Sequence, residues 1–338
     1  MINFQYARAD DVRDAVRQIA DDPNAKFVAG GTNLIDLMKM DVERPTKVID
    51  ITRLPLKQVE NTPAGGLRIG ALVRNTDLAY HPLVEERYPV LTSAIMAGAS
   101  QQLRNMASTG GNLLQRTRCH YFYDTATPCN KREPGSGCSA VDGHNRMHAI
   151  LGSSDACIAT HPSDMCVALA MLEAKVHVSG GSGDRVIAFA DFHRLPDDTP
   201  QRDTNLNAGE IIIAVELPPK GFATNYTYLK IRDRLSYAFA LVSVAVGLEL
   251  DGDTIKEGRF ALGGVAHRPW RAPQAEAALR GQPANATTFA RAADVLLRDA
   301  KGYAHNTFKI DLARRCIARA LTQAARGTPQ SQSSKKIV

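Results

Sequence analysis

Lys26-Phe27-Val28-Ala29-Gly30-Gly31-Thr32-Asn33-Leu34 is the stretch on which the reading of the fold turns. A short β-prone run ends in paired glycines, and a segment of helical composition follows, so the stretch reads as strand, tight turn and helix. Two glycines permit positive φ and let a backbone come close to a ligand. Successive amides in such a turn can point inward at phosphate oxygens, and a helix start behind them adds a favourable dipole. Thr32 and Asn33 add side-chain donors. A tight strand–helix turn with no ligand accounts for the same residues, and both readings stand at this point.

Val12, Ala15, Val16 and Ile19 recur at helical spacing before the turn. Strands are expected over Lys47–Ile51 and Leu67–Leu72, punctuated by Pro45 and by Pro63-Ala64-Gly65-Gly66. Leu83–Ala97 is helical in composition, with Pro89 marking a break or a first turn. A second glycine pair stands in Ala107-Ser108-Thr109-Gly110-Gly111-Asn112-Leu113. Two such turns could grip opposite sides of one diphosphate, or could be unrelated. Neither is the G-x-G-x-x-G dinucleotide fingerprint. Gly135-Ser136-Gly137-Cys138-Ser139-Ala140 matches that pattern formally, but no strand precedes it and it carries a cysteine.

From about Gln115 to Gly152 apolar periodicity vanishes, and Cys, Gly, Pro, Asn and Arg dominate. So long an irregular stretch is uncommon in a compact domain unless it is functional or disordered. Beyond it, Ser163 reads as the N-cap of a helix reaching Glu173, followed by strands at Lys175–Val178 and Ile211–Leu217. A boundary is placed at Lys220-Gly221, giving regions 1–220 and 221–326 with an insertion at about 115–158. The second region starts with β-prone segments at Tyr226–Ile231, Ala240–Leu250 and Gly258–Leu262. Helices follow near Thr287–Asp299 and Ile310–Ala325. The Ser/Gln/Lys-rich tail 327–338 is expected to be disordered. No internal repeat is visible.

The chain has 338 residues, 44% of them apolar and 22% charged, so it can bury a sizeable core and is not a mainly disordered chain. It has no apolar run of transmembrane length, and Met1–Gln5 lacks a basic stretch leading into an apolar one, so neither membrane insertion nor a signal peptide is expected. The net charge of +6 is scattered and aromatics make up only 6%, which argues against nucleic-acid binding.

Four of the six cysteines, Cys119, Cys129, Cys138 and Cys157, bracket the irregular stretch with spacings C-x9-C-x8-C-x18-C. These are neither zinc-ribbon nor bacterial ferredoxin spacings. A four-thiolate iron–sulfur cluster, a structural zinc and disulfides all remain open on spacing alone. Arg116, Arg118, Lys131 and Arg132 would offset the charge of a thiolate-ligated cluster. Cys166 and Cys316 sit in helical, apolar surroundings and read as buried thiols. His120, His144, His148 and His161 read as surface histidines or neighbours of the ligands.

At these residues the chain resembles the FAD-binding medium subunits of molybdenum hydroxylases, the group of xanthine dehydrogenases, aldehyde oxidoreductases and carbon monoxide dehydrogenases. The resemblance is carried by Ala29-Gly30-Gly31-Thr32-Asn33, Ser108-Thr109-Gly110-Gly111-Asn112, His161-Pro162-Ser163-Asp164, Lys230-Ile231-Arg232 and Gly263-Gly264-Val265-Ala266. The cysteine-bearing insertion, with Gln115-Arg116-Thr117-Arg118-Cys119, Tyr121-Phe122-Tyr123-Asp124 and Pro128-Cys129-Asn130-Lys131-Arg132, looks like that of periplasmic aldehyde oxidoreductase subunits carrying FAD plus a 4Fe–4S cluster.

The resemblance implies an α+β fold: a two-subdomain, PCMH-type FAD-binding domain, then a C-terminal domain with a small antiparallel sheet packed on helices. It implies Cys119, Cys129, Cys138 and Cys157 as cluster ligands. For FAD it implies Lys26, Phe27, Val28, Ala29, Gly30, Gly31, Thr32, Asn33 and Leu34 around the diphosphate, and Ser108, Gly111 and Asn112 as a second phosphate-side turn. Asp164 would bind the ribose or adenosine portion, Leu206 would pack on the adenine, and Lys230 would lie near the isoalloxazine. No catalytic residue is assigned to this chain.

Aldehyde oxidation would occur at molybdenum on a molybdopterin large subunit. Electrons would pass through the 2Fe–2S centres of a small subunit to FAD here, then to dioxygen or an external acceptor, in a heterotrimer or a multiple of it. The alternatives are a subunit of another molybdenum hydroxylase such as a hydroxybenzoyl-thioester reductase, a self-contained flavin oxidase, or an iron–sulfur scaffold without flavin. The resemblance points to the periplasm, reached as a passenger of a partner exported by a twin-arginine signal, with the cytoplasm as the alternative.

Overall fold

The computed structural model describes residues 1–327. The tail expected to be disordered lies outside the described residues, apart from Gly327.

Three parallel strands open the chain: β1 (Gln5–Arg8), β2 (Lys26–Val28) and β3 (Lys47–Asp50), in the order β1-β3-β2. Parallel neighbours need crossover connections. The helices Val12–Ala20 and Leu34–Lys39 supply them, the first started by Asp11, whose carboxylate accepts from the Asp14 amide. The glycine turn at 30–31 therefore sits at the C-terminal end of β2, where strand passes to helix.

A five-stranded antiparallel sheet follows, built from β4 (Val59–Asn61), β5 (Leu67–Gly70), β6 (Lys175–Gly180), β7 (Gly183–Ala188) and β8 (Ile211–Leu217) in the order β4-β5-β8-β6-β7. A third sheet holds β9 (Asn225–Ile231), β10 (Val242–Asp251) and β11 (Thr254–Gly263), antiparallel with β10 central. The helices Ala286–Leu296 and Phe308–Ala325 complete the α+β architecture expected from the resemblance.

The helix expected after Ser163 runs Asp164–Met171, with Ser163 Oγ accepting from the Cys166 amide. Every one of its residues is buried, as befits a helix apolar all round. It packs on the helix Pro89–Ala97 and on the third sheet, and one core cluster joins it to Tyr228, Ala245 and Ala261 of that sheet. The chain before residue 220 and the chain after it thus share one interior. The expected break at Pro89 separates two helices, Pro82–Arg87 and Pro89–Ala97.

The insertion carries only two short helices, His120–Tyr123 and Ser139–Asp142. Its apolar centre is a small cluster of Leu37, Phe122 and Cys129. Polar anchors order the rest. Lys131 is 2% exposed, and its ammonium donates to the Pro200 carbonyl and to Asp203. Arg116 donates to Asp203 and Glu43 at 2.8 and 2.6 Å, and Arg132 donates to the carbonyls of Tyr121, Phe122 and Thr127. The basic residues expected to offset cluster charge are therefore largely neutralised within the protein, since Arg118 also pairs with Asp36. Among the described residues, no helix is long and apolar enough to cross a membrane.

Candidate functional site

Two glycine turns meet in space but differ in what they offer. A Cβ on Gly30 would fall on the Met106 carbonyl, so this glycine lets the first turn lie flush against the segment leading into the second. Gly31 has φ of +72°, and a Cβ there would point at Ile35 Cγ1, 3.0 Å away. Gly31 is thus required for backbone conformation. Within the described residues, no backbone or side-chain acceptor takes the amides of Gly30, Gly31, Thr32, Asn33 or Leu34. Five consecutive half-buried N–H groups without an internal partner are what an anionic ligand would satisfy.

The second turn is different. Thr109, Gly110 and Asn112 donate their amides to the carbonyls of Val73, Ala71 and Ser108, and the Gly111 amide goes to Ser108 Oγ. Its four amides are therefore satisfied inside the protein. Asn112 Oδ1 accepts from Ser163 Oγ at 2.6 Å, and Asn33 Oδ1 accepts from the Arg116 amide at 2.8 Å. These bonds tie both turns to the His161–Asp164 motif and to the start of the insertion.

Asp164 and Lys230 were assigned to different parts of a flavin. The fold joins them: Lys230 Nζ lies 2.8 Å from Asp164 Oδ2, with side chains 3% and 7% exposed, and Tyr228 donates its hydroxyl to Asp164 Oδ1 at 2.6 Å. They act as one buried unit beside the Ala97 carbonyl, which accepts from both Lys230 and Arg232. Lys230 is not a solvated strand lysine. Tyr228 was missed by sequence reasoning, although its place two residues before Lys230 on one strand puts both on one face. Leu206 packs partly buried against the main core cluster.

The four cysteines lie in one neighbourhood of the insertion, but no three of their sulfurs lie within 4.8 Å of one another. Cys129 and Cys138 face each other as an isolated antiparallel bridge, and Asn130 closes the loop between them by accepting from the amides of Gly135 and Gly137. Burial pushes the Cys119 thiol up to about 12, with Cys129 and Cys157 adding to the rise. Burial likewise raises Cys157 to about 11, against the pull of Lys131, with Cys138 and Cys129 again adding. Cys157 thus lies within electrostatic reach of the other three, and Cys119 of Cys129 and Cys157; none of the six cysteines forms a disulfide. Cys166 and Cys316 are buried elsewhere, as expected.

A cleft of about 80 Å³ lies between these parts, lined by Cys119, His148, His161, Asp164, Phe239 and Gly264 among others. Drug-sized pockets run to roughly 300–1,000 Å³, so this cleft can house only part of a dinucleotide. His148 is 2% exposed, with Nε2 3.1 Å from Cys119 Sγ, and burial, then His120 and Lys309, push its imidazole down to about 4. His161 is not a surface histidine either: its Nε2 is buried without a partner. His161, Cys166 and His193 are the one group of three metal-ligating side chains whose atoms lie within 4.8 Å of one another among the described residues. There, His193 Nε2 lies 2.9 Å from the Leu113 carbonyl and so carries the proton, and His161 Nδ1 accepts from the Ser163 amide. These tautomers leave His161 Nε2 as a donor and His193 Nδ1 as an acceptor, both buried without a partner.

Residues 2–220 match the family described as the FAD binding domain in molybdopterin dehydrogenase, and residues 226–324 match the CO dehydrogenase flavoprotein C-terminal domain. The chain belongs to the FAD-binding subunits of the molybdenum hydroxylases. The FAD-binding subunit described here is 54% identical to the aldehyde oxidoreductase FAD-binding subunit PaoB of Escherichia coli (strain K12), over 95% of this chain and 98% of that one. It is 29% identical to the glyceraldehyde dehydrogenase medium chain of Sulfolobus acidocaldarius over 83% of each. Among solved structures, carbon monoxide dehydrogenase from Hydrogenophaga pseudoflava superposes with a TM-score of 0.76 at 25% identity, covering 97% of this chain and 100% of that one. This FAD-binding subunit is accordingly an oxidoreductase component, the medium chain of a multi-subunit complex. The five free amides of Gly30–Leu34 fit the diphosphate of the cofactor its family binds.

Proposed function

We propose that this chain is the electron-transferring subunit of a molybdenum-containing aldehyde oxidoreductase, and that Cys119, Cys129, Cys138 and Cys157 hold a 4Fe–4S cluster. The observation that carries the proposal is that four unpaired cysteines bracket one ordered insertion, with Cys129 facing Cys138 across an isolated bridge and Cys119 at the cleft that Asp164 also lines. A tetrahedral zinc would draw its sulfurs to about 3.8 Å from one another, given Zn–S bonds of about 2.3 Å. No three of these sulfurs form a group within 4.8 Å, so they are not arranged as a closed zinc site. The resemblance of the insertion to FAD plus 4Fe–4S subunits supports the same reading.

FAD when bound supplies both one- and two-electron chemistry, which suits a junction between single-electron clusters and a final acceptor. The chain's own residues supply the setting. The amides of Gly30–Leu34 hold the diphosphate, the second glycine turn and Asn112 form a wall, and the Asp164–Lys230–Tyr228 unit presents fixed charge at the cleft. The molybdopterin and 2Fe–2S centres belong to large and small partner subunits, the final acceptor is dioxygen or an external carrier, and the complex works in the periplasm, carried there by a partner's twin-arginine signal.

The test is metal analysis and EPR of the purified chain. About four irons with labile sulfide are expected, depleted when any of the four cysteines is changed to Ser and retained in Cys166→Ala. Zinc in place of iron, or a disulfide mass signature, would overturn the cluster. Co-purification with 2Fe–2S and molybdopterin subunits, and turnover of aldehydes in preference to aryl thioesters, tests the wider assignment; cell fractionation tests the compartment.

A further inference from the structure

We propose that His148 is the hydrogen-bond donor that sets the reduction potential of the cluster, acting on the sulfur of Cys119. The inference rests on the four-cysteine reading above. Its own observations are geometric. His148 Nε2 stands 3.1 Å from Cys119 Sγ, while Nδ1 is buried and has no partner. A metal-bound thiolate can only accept a hydrogen bond, so in that contact the proton belongs on Nε2. Cys119 and His148 both line the cleft shared with Asp164, and Cys119 is the one of the four cysteines that does.

The contact is held from several directions. Lys309, fully buried on the last helix, donates to the carbonyls of His148 at 2.8 Å, Gly264 at 2.6 Å and Met147 at 3.4 Å. Three carbonyls match the three donors of an ammonium. Asn306 Nδ2 donates to the carbonyls of His148 and Ala149 at 3.2 and 3.1 Å. The His148 amide goes to the Asn145 carbonyl, and the Ala149 amide goes to Ile158, the residue after Cys157. Lys309 and Asn306 are positioning residues: they fix the segment that aims the imidazole. So many bonds on residues 147–149 exceed what closing a loop requires, and they leave the ring little freedom to leave Cys119.

A donor on a ligating sulfur withdraws electron density and favours the reduced, more negative cluster, so it raises the potential. Anaerobic redox titration followed by EPR on the full-length chain should place His148→Phe below the wild type. The expected change is at least tenfold in the oxidised-to-reduced ratio at a fixed potential, about 59 mV for a one-electron couple. His148→Gln, which keeps an N–H at similar reach, should return most of the way. Iron and labile sulfide are measured in each variant. Pulsed EPR of reduced wild-type chain labelled with 15N-histidine should show an imidazole nitrogen coupled to the cluster, and this decides the matter even where a variant loses iron. Intact clusters with unchanged potentials in both variants, or no histidine coupling, would overturn the role of His148 and leave the cluster standing. A wild-type chain without an iron–sulfur signal would overturn the cluster reading and this inference with it.

Discussion

Gly30 and Gly31 are adjacent and chemically identical, yet the fold asks different things of them. Gly30 is excluded from bearing a side chain by the Met106 carbonyl, whereas Gly31 is set by its positive φ. Gly30→Ala should therefore lift the turn off its neighbour and abolish flavin retention. Gly31→Ala should keep flavin and lower stability by about 1–2 kcal/mol, the cost of a left-handed non-glycine residue. The ratio of flavin to protein absorbance in the two purified variants checks this, and equal flavin loss would contradict the distinction. Lys230 repeats the lesson for charge. Lys230→Met strands a buried Asp164 carboxylate and should cost about 3–5 kcal/mol of unfolding free energy. Adding Asp164→Asn should recover much of it in urea titrations, because the penalty lies in the unpaired charge.

At the scale of elements, the insertion is the part whose order is least expected from its composition. It is held through Asp203, where Arg116 and Lys131 converge. Burial alone would raise the Asp203 carboxyl, but Lys131 and Arg116, then His267, hold it well below the usual carboxylate range. Asp203→Asn removes the charge and leaves the buried Lys131 and the half-buried Arg116 with a weaker acceptor. Charged hydrogen bonds of this kind contribute roughly 1.5–3 kcal/mol each. Amide exchange across residues 116–146 should then quicken at least tenfold while exchange in β10 is unaffected. Mass-spectrometric exchange at peptide resolution separates the two, and a uniform change would mean that Asp203 supports the whole chain and not the insertion alone.

At the scale of the molecule, His193 and His267 are buried and His161 half-buried around one interior. Burial pushes His193 and His267 down to about 4, and burial with His193 and His267 nearby pushes His161 well below its ordinary value. Their folded pKa values lie below the unfolded value of about 6.5. The unfolded chain therefore binds more protons between these limits. Their stabilising contribution is complete above about pH 6.5 and is lost as pH falls toward 4. The slope is about 1.4 kcal/mol per pH unit for each histidine protonated on unfolding. Denaturant titrations from pH 7.5 to 4.5 should show this decline; a flat profile would place the rings in contact with water.

Much of this protein is written in short-range pattern. The strand–Gly-Gly–helix stretch, the helix begun by Ser163, the break at Pro89 and the strands at Ile211–Leu217 and Tyr226–Ile231 follow from period, capping and proline chemistry, and the structure has them in place. These are local properties, fixed by residues a turn or two apart. The strands β1, β4 and β7 were not legible, being short and largely exposed. The roles of the site residues lay further out of reach. That the second glycine turn spends its amides internally, that Asp164 pairs with Lys230, 66 residues on, and that His148 reaches Cys119 were decided only by tertiary structure. A backbone amide's partner, and the charge beside a carboxylate, depend on which distant segments share a wall, and no spacing along the chain carries that information.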